Sequence, residues 1–419
     1  MFHTLIIGAG AAGLAAGRLL HDAGRDILII EARDRIGGRA WTDHSFADFP
    51  VELGAEFIHG EHAATHQLVK DAGFHTIPVV RMDNLWWADN RQPARPRPHL
   101  PAPVRDMIDG LLRDHETLAD FPLEHDLSLV DYLRERGWGE DALKTADVLL
   151  AQTCCATIET LSCADLIREM QVDHAGSQEF RIEEGYAALF DHYSRDLPIR
   201  LNTCVTAVYW GAEGVTVMAG DQQFTAQKCI LTLPPPLLQT LQFDPPLSAY
   251  KQDAIQALHT EPATKLIYRF NKPLWDESLT FMAHQGMTAR WWTPGYGRKD
   301  AAVMACYITA KRAYSIDSMS ETLALELGLL QLAELLGLPI ETLQQHLLAS
   351  KRVSWADDPY ALGGYAHVPP GHADARPILA QPEGEVLFFA GEATAYDSNP
   401  QTVHGALESG WRAARECLG

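Results

Sequence analysis

Cysteine is scarce in this chain, long hydrophobic runs are missing and positive charge is in deficit. Only seven cysteines stand among 419 residues, at 154, 155, 163, 204, 229, 306 and 417. The number is odd and no CxxC pair occurs, so neither a disulfide framework nor a zinc ribbon is indicated. Reduced thiols in a cytoplasmic protein fit this usage best. No run of about 18 apolar residues is present to span a membrane. The N-terminal MFHTLIIGAG lacks the basic region of a signal peptide. Lysine and arginine total 34 against 55 acids, a formal charge of −21. Such a field repels phosphate backbones and argues against a nucleic-acid partner.

Several catalytic signatures are also absent. Without GxSxG there is no hydrolase nucleophile elbow, and without GxxxxGK(S/T) there is no P-loop. His59, Glu61, His62 and His66 resemble metal ligands, but no HExxH or matching Cys/His cluster accompanies them, so no metal site is expected.

What remains is an ordinary globular composition, 47% hydrophobic and 21% charged. The length suggests two to three domains. Residues 3–7 form a short β-branched run, 11–23 a small-residue helix stopped near Gly24, and 26–31 a second buried strand: one βαβ unit. Prolines at 93, 96, 98, 101 and 103 exclude helix and central strand from 92–103. That stretch reads as an exposed crossing. From 104 to about 170 the pattern is helical. Residues 199–209 and 215–218 read as paired strands, and 228–233, 264–270, 303–309 and 385–390 as further strands. The Leu-rich 321–336 is apolar nearly all round and reads as a buried helix. Residues 403–417 form a last helix.

The chemistry begins with Gly8-x-Gly10-x-x-Gly13, which follows a strand and opens a helix. In such a loop the first glycine permits the turn, the second admits a pyrophosphate to the backbone and the third lets helix and strand pack closely. The helix N-terminus offers N–H groups and partial positive charge to phosphates. Glu31, at the end of the second strand, can accept both ribose hydroxyls of an adenosine. A second glycine pair, Gly37-Gly38, follows among Arg33, Arg35 and Arg39. NAD-binding domains do not need this pair. It would bring more backbone to a longer cofactor, with Arg39 as a phosphate donor.

With these runs, GAGAAG and IIEARDRIGGRAWT, the chain resembles the flavin-containing amine oxidases. Further motifs carry the likeness: ELGAEFIHG at 52–60, Glu184-Gly185-Tyr186, Leu233-Pro234-Pro235, Thr264-Lys265 through Trp275, Trp355 with Gly363-Gly364-Tyr365, Gly391-Glu392, and His404-Gly405-Ala406. The resemblance implies a two-domain α/β flavoprotein. A doubly wound, Rossmann-like FAD domain would come from 1–80, 180–255 and 355–419. A substrate domain of mixed sheet plus helices would come from 81–179 and 256–354.

It further implies that Gly8, Gly10, Gly13, Glu31, Arg33, Gly38 and Arg39 hold the FAD adenosine and pyrophosphate. Val205 would meet the adenine, and Gly391 and Glu392 the pyrophosphate and ribityl chain. Thr402 and Val403 would point a helix N-terminus at the flavin. Lys265 would reach the flavin through a water. Trp355 and Tyr365 would wall the substrate cavity, Glu56 would bind a distal ammonium and His59 would take part in proton traffic. The expected reaction is oxidation of a small-molecule amine to an imine, with O2 reduced to H2O2. A homodimer is compatible with it.

Two departures narrow the resemblance. Tyr365 stands after Gly363-Gly364, where monoamine oxidases carry the cysteine that tethers the cofactor, so FAD should be non-covalent. Thr402 stands where their last helix is preceded by a tyrosine, so the two-tyrosine cage is incomplete. Desaturases and porphyrinogen oxidases share the same plan. An L-amino-acid oxidase would need a cation for the carboxylate, for which Arg290 is the candidate. A non-catalytic scaffold would dock partners through the Pro/Arg segment 91–105.

Overall fold

The computed structural model describes residues 1–89, 92–298 and 301–419. Arg91, at the head of the Pro/Arg segment, lies outside the described residues. The architecture is a two-domain α/β fold built on two large sheets. The first has eight strands and begins with Phe2–Ile7, which pairs in parallel with Ile27–Ile30 on one side and Gln222–Leu231 on the other. Strand Leu387–Phe389 joins Gln222–Leu231 in parallel. Where these strands lie side by side, at Leu5–Ile7, Ile27–Ile30, Cys229–Leu231 and Leu387–Phe389, both faces are covered, and the segments read as short apolar runs rather than alternations. Ala207–Gly211 and Gly214–Ala219 extend the sheet as an antiparallel hairpin.

Helices Ala11–Asp22 and Val403–Leu418 pack together on this sheet. Gly410 makes the approach: a Cβ there would lie 2.2 Å from the Ala12 carbonyl oxygen. Both helices therefore start beside the same sheet edge, where the first and last strands end.

The second sheet has seven strands in the order Leu347–Ser354, Ala263–Phe270, Val303–Thr309, Arg290–Trp292, Phe281–His284, Leu85–Ala88 and Arg95–Pro96. It is mixed: Phe281–His284 runs parallel to Leu85–Ala88, and the other pairs are antiparallel. One face packs on the helices of 102–172 and forms a core that includes Ile267, Phe281 and Val303. Among the described residues no single helix is long and apolar enough to cross a membrane.

Four local expectations change. The Pro-rich stretch is not wholly irregular. Arg95–Pro96 forms a two-residue strand at the sheet edge, where proline's missing N–H is harmless. Residues 199–209 are not one strand. Ile199–Arg200 pairs with Ile27–Ile30, Ala207–Gly211 belongs to the hairpin, and Val205 lies between them in an unpaired stretch. The Leu-rich helix Glu321–Leu336 is not buried all round, because only the face carrying Gly328 meets the sheet. Leu323 and Leu330 are 52% and 46% exposed. The helical run expected from 104 to about 170 is interrupted at Cys154 and Cys155. They close a single turn of 3-10 helix, and Cys154 faces a cavity.

Candidate active site

A cavity of about 650 Å³ runs between the two sheets, from the glycine loop to the Ala263–Phe270 strand. At its first end Gly8 adopts φ +105°, open to glycine and strained for other residues. Gly13 is needed for contact: a Cβ there would lie 1.9 Å from the Gly8 carbonyl oxygen. Gly10 and Gly38 face each other, and a Cβ on Gly38 would lie 3.2 Å from Gly10 Cα. Glu31 is buried, and its two oxygens accept from the Ala9 N–H (2.8 Å) and the Arg33 N–H (2.9 Å). Those bonds fix the carboxylate at the cavity wall.

Arg33 donates to Asp358 (2.5 Å), tying the loop to the far part of the chain. Arg39 donates to the Gly364 carbonyl (2.5 Å) and to Glu392 (3.0 Å). The other Glu392 oxygen, Oε2, is buried without a partner, and so is Asn399 Oδ1. Both residues line the cavity, as do Val205, Gly391 and Val403. The Thr402 hydroxyl accepts from the Gly405 N–H (3.0 Å) and donates to the Asn399 carbonyl (2.8 Å). It caps the last helix, whose first turn lines the cavity.

These residues fit FAD. A backbone cradle without side chains suits a pyrophosphate beside a helix N-terminus. Glu31 suits a ribose diol, and the unpartnered Glu392 and Asn399 oxygens suit the hydroxyls of a ribityl chain.

The other end of the cavity is a charged and aromatic floor. Lys265 is 3% exposed and donates to the Glu52 carbonyl (2.9 Å) and to Glu56 Oε2 (3.0 Å). The same Glu56 oxygen accepts from Trp292 Nε1 (2.9 Å), and Oε1 accepts from Arg181 Nε (2.8 Å). Burial alone would push the Glu56 carboxyl up, but Lys265 and Arg181 outweigh it and hold it below the usual range. Glu56 is therefore saturated by this chain's own donors. The expectation that it binds a distal ammonium gives way to a role in holding Lys265.

His59 reaches the cavity with its ring against Glu179 (3.0 Å), which also takes the Arg81 guanidinium. Arg81 and Arg181 flank the Phe57 ring at 4.2 and 4.8 Å. Trp355 donates to the Leu53 carbonyl (3.1 Å), which turns its ring into the wall. Tyr307 donates to Tyr365 (2.8 Å), whose hydroxyl donates to the Thr153 carbonyl (2.8 Å). Burial pushes both phenols up, so they stay neutral. Glu169 lines the cavity too, and burial raises its carboxyl to about 7.

Lys265, Trp355, Tyr365, Glu56 and His59 thus surround one space. Sequence reasoning missed Arg81, Arg181, Trp292, Tyr307 and Glu169. Strand alternation was the available signal for two of them, because Lys265, Tyr307 and Trp292 sit on one sheet face.

The family model for flavin-containing amine oxidoreductases matches residues 11–418. Polyamine oxidase 2 of Arabidopsis thaliana is 28% identical over 443 residues, covering 99% of this chain and 87% of that protein. Lysine-specific histone demethylase 2 of Homo sapiens is also 28% identical, over 98% of this chain but only 53% of its own length. Among solved structures, putrescine oxidase bound to putrescine superposes with a TM-score of 0.86 at 20% identity, covering 100% of this chain and 99% of that one. Cyclohexylamine oxidase from Brevibacterium oxydans superposes at 0.83 and 20% identity, covering 99% of this chain and 98% of that one.

Proposed function

Because this chain belongs to the flavin-containing amine oxidoreductases, we propose that it oxidises a small amine to an imine and passes the electrons to O2, giving H2O2. The observation that carries this reading is the single cavity joining the glycine cradle to the Lys265–Glu56 pair. FAD, when bound, would supply the two-electron redox chemistry between the amine and O2.

The protein's share is placement and electrostatics. Glu31 would hold the ribose, Gly8, Gly10 and Gly13 would admit the pyrophosphate with Arg39 beside it, and Val205 would offer backbone to the adenine. The N-terminus of Val403–Leu418 favours negative charge at the flavin end. Lys265, fixed by two hydrogen bonds, keeps an ammonium aimed from the cavity floor. Trp292, Trp355, Tyr307 and Tyr365 exclude water and offer faces that accept an amine charged or neutral. The cations around Lys265 disfavour a second ammonium there and so favour the neutral amine, which is the hydride donor.

The same reading puts the domain boundaries near 80, 180, 255 and 355, supported by the sequence ranges that each sheet draws on. It puts the protein in the cytoplasm, supported by seven cysteines that are all free thiols. Oxygen uptake and peroxide release, measured together during turnover of an amine, test the reaction. Equal amounts are expected. Amine consumption without peroxide would reject O2 as the acceptor.

A further inference from the structure

Oxidation at one C–N bond leaves the rest of the substrate unread. Strand pairing sets Lys265 opposite Tyr307 and Tyr307 opposite Arg290, so the three side chains form one row on the cavity floor. Arg290 is 3% exposed. Its Nη1 donates to Thr153 Oγ1 (2.8 Å), while Nε is buried without a partner. Among the described residues no carboxylate pairs with it. Its cationic neighbours each touch a carboxylate, as it does not: Lys265 and Arg181 share Glu56, and Arg81 has Glu179. Burial, reinforced by Arg81, pulls the Arg290 guanidinium down to about 10, so it remains charged at neutral pH.

A buried cation without an anion is strongly disfavoured unless a ligand brings one. With Nη1 engaged, the edge formed by Nε and Nη2 is left. That edge of a guanidinium takes a carboxylate through two parallel hydrogen bonds.

We propose that Arg290 anchors a carboxylate on the substrate, so that the preferred amine is an ω-amino carboxylate rather than a polyamine. The proposal rests on amine oxidation in this same cavity. Arg290 stands two strands from Lys265, about 10 Å at the backbone. The carboxylate and the oxidised carbon are therefore separated by several bonds.

The test uses the full-length FAD-loaded protein. Anaerobic flavin reduction is followed with glycine, 4-aminobutanoate, 6-aminohexanoate, butylamine and putrescine. One of the two longer amino carboxylates should reduce the flavin at least about 100-fold more efficiently than butylamine or putrescine. In Arg290→Met that advantage should fall by about 100-fold, through weaker binding, with the limiting reduction rate within about threefold. Arg290→Lys should recover part of it. Butanoate, which cannot be oxidised, should perturb the flavin spectrum of the wild type and not of Arg290→Met.

If butylamine or putrescine serves as well as the amino carboxylates, the anchor is wrong while amine oxidation stands. If glycine is best, the spacing is wrong. If nothing reduces the flavin, amine oxidation itself fails and takes the anchor with it. Should Arg290→Met not retain FAD, the wild-type panel and Arg290→Lys decide.

Discussion

Replacing Lys265 by methionine keeps most of the side chain's volume and removes only the ammonium. Two hydrogen bonds go, to the Glu52 carbonyl and to Glu56 Oε2. Glu56 is not orphaned, because Trp292 still donates to Oε2 and Arg181 to Oε1. The cost should therefore match a lost charge-assisted hydrogen bond, about 2 kcal/mol, and fall short of the roughly 3–5 kcal/mol of a buried ion left unpaired. Glu56→Gln removes the shared anion and leaves Lys265 and Arg181 buried together, so it should be the more damaging change, near the roughly 3–5 kcal/mol figure. Denaturant midpoints on the FAD-loaded proteins give this order. Stopped-flow spectroscopy then separates the half-reactions. Lys265→Met should keep its flavin absorbance and slow reduction or reoxidation by ~10²-fold, the scale of a positioned proton-handling group. Unchanged rates in both half-reactions would refute the role assigned to Lys265.

Further outcomes follow from the same structure. Gly13→Ala should purify colourless or lose FAD on gel filtration, since its Cβ would lie 1.9 Å from the Gly8 carbonyl oxygen; full flavin content would contradict the cradle. Glu31→Ala should weaken FAD retention without unfolding the protein, because it frees the Ala9 and Arg33 N–H groups that now fix the loop; dialysis against apoprotein acceptors measures this. Glu52 is buried, and its carboxyl is raised from 4.5 to about 7. The folded protein then holds a proton that the unfolded chain has lost, so stability should fall as pH rises between these values and level off above. Glu169, raised to about 7 as well, shares that fall, so Glu52→Gln should make it shallower without abolishing it, and an unchanged stability–pH curve would count against it.

The cofactor end of the site was legible because it is local in sequence. Gly8, Gly10, Gly13 and Glu31 all lie within one βαβ unit, where strand, turn, helix and acid follow in order. The substrate end was legible only as candidate residues. Lys265 and Glu56 are 209 positions apart, and their ion pair exists because one sheet places a strand beside the ELGAEF loop. No periodicity in either segment announces the partner. Glu56 looked available for a substrate ammonium because its donors Arg181 and Trp292 come from two other elements.

Val205 looked like strand because it sits between β-prone residues. The Glu31 and Arg33 carbonyls take the Thr203 and Asn202 N–H groups instead, which turns the stretch across the cavity. Arg290 stood out in the sequence only as a candidate cation for a substrate carboxylate, beside two tryptophans. Its burial becomes visible only when strands Arg290–Trp292 and Val303–Thr309 are paired.

Anaerobic flavin bleaching against a panel of amines is the most direct test of the account. The panel should hold aryl-alkyl amines, polyamines, cyclic amines and amino carboxylates. One class should bleach the yellow protein rapidly, and peroxide should appear when air is admitted. A flavin that stays oxidised in the presence of every amine would contradict it.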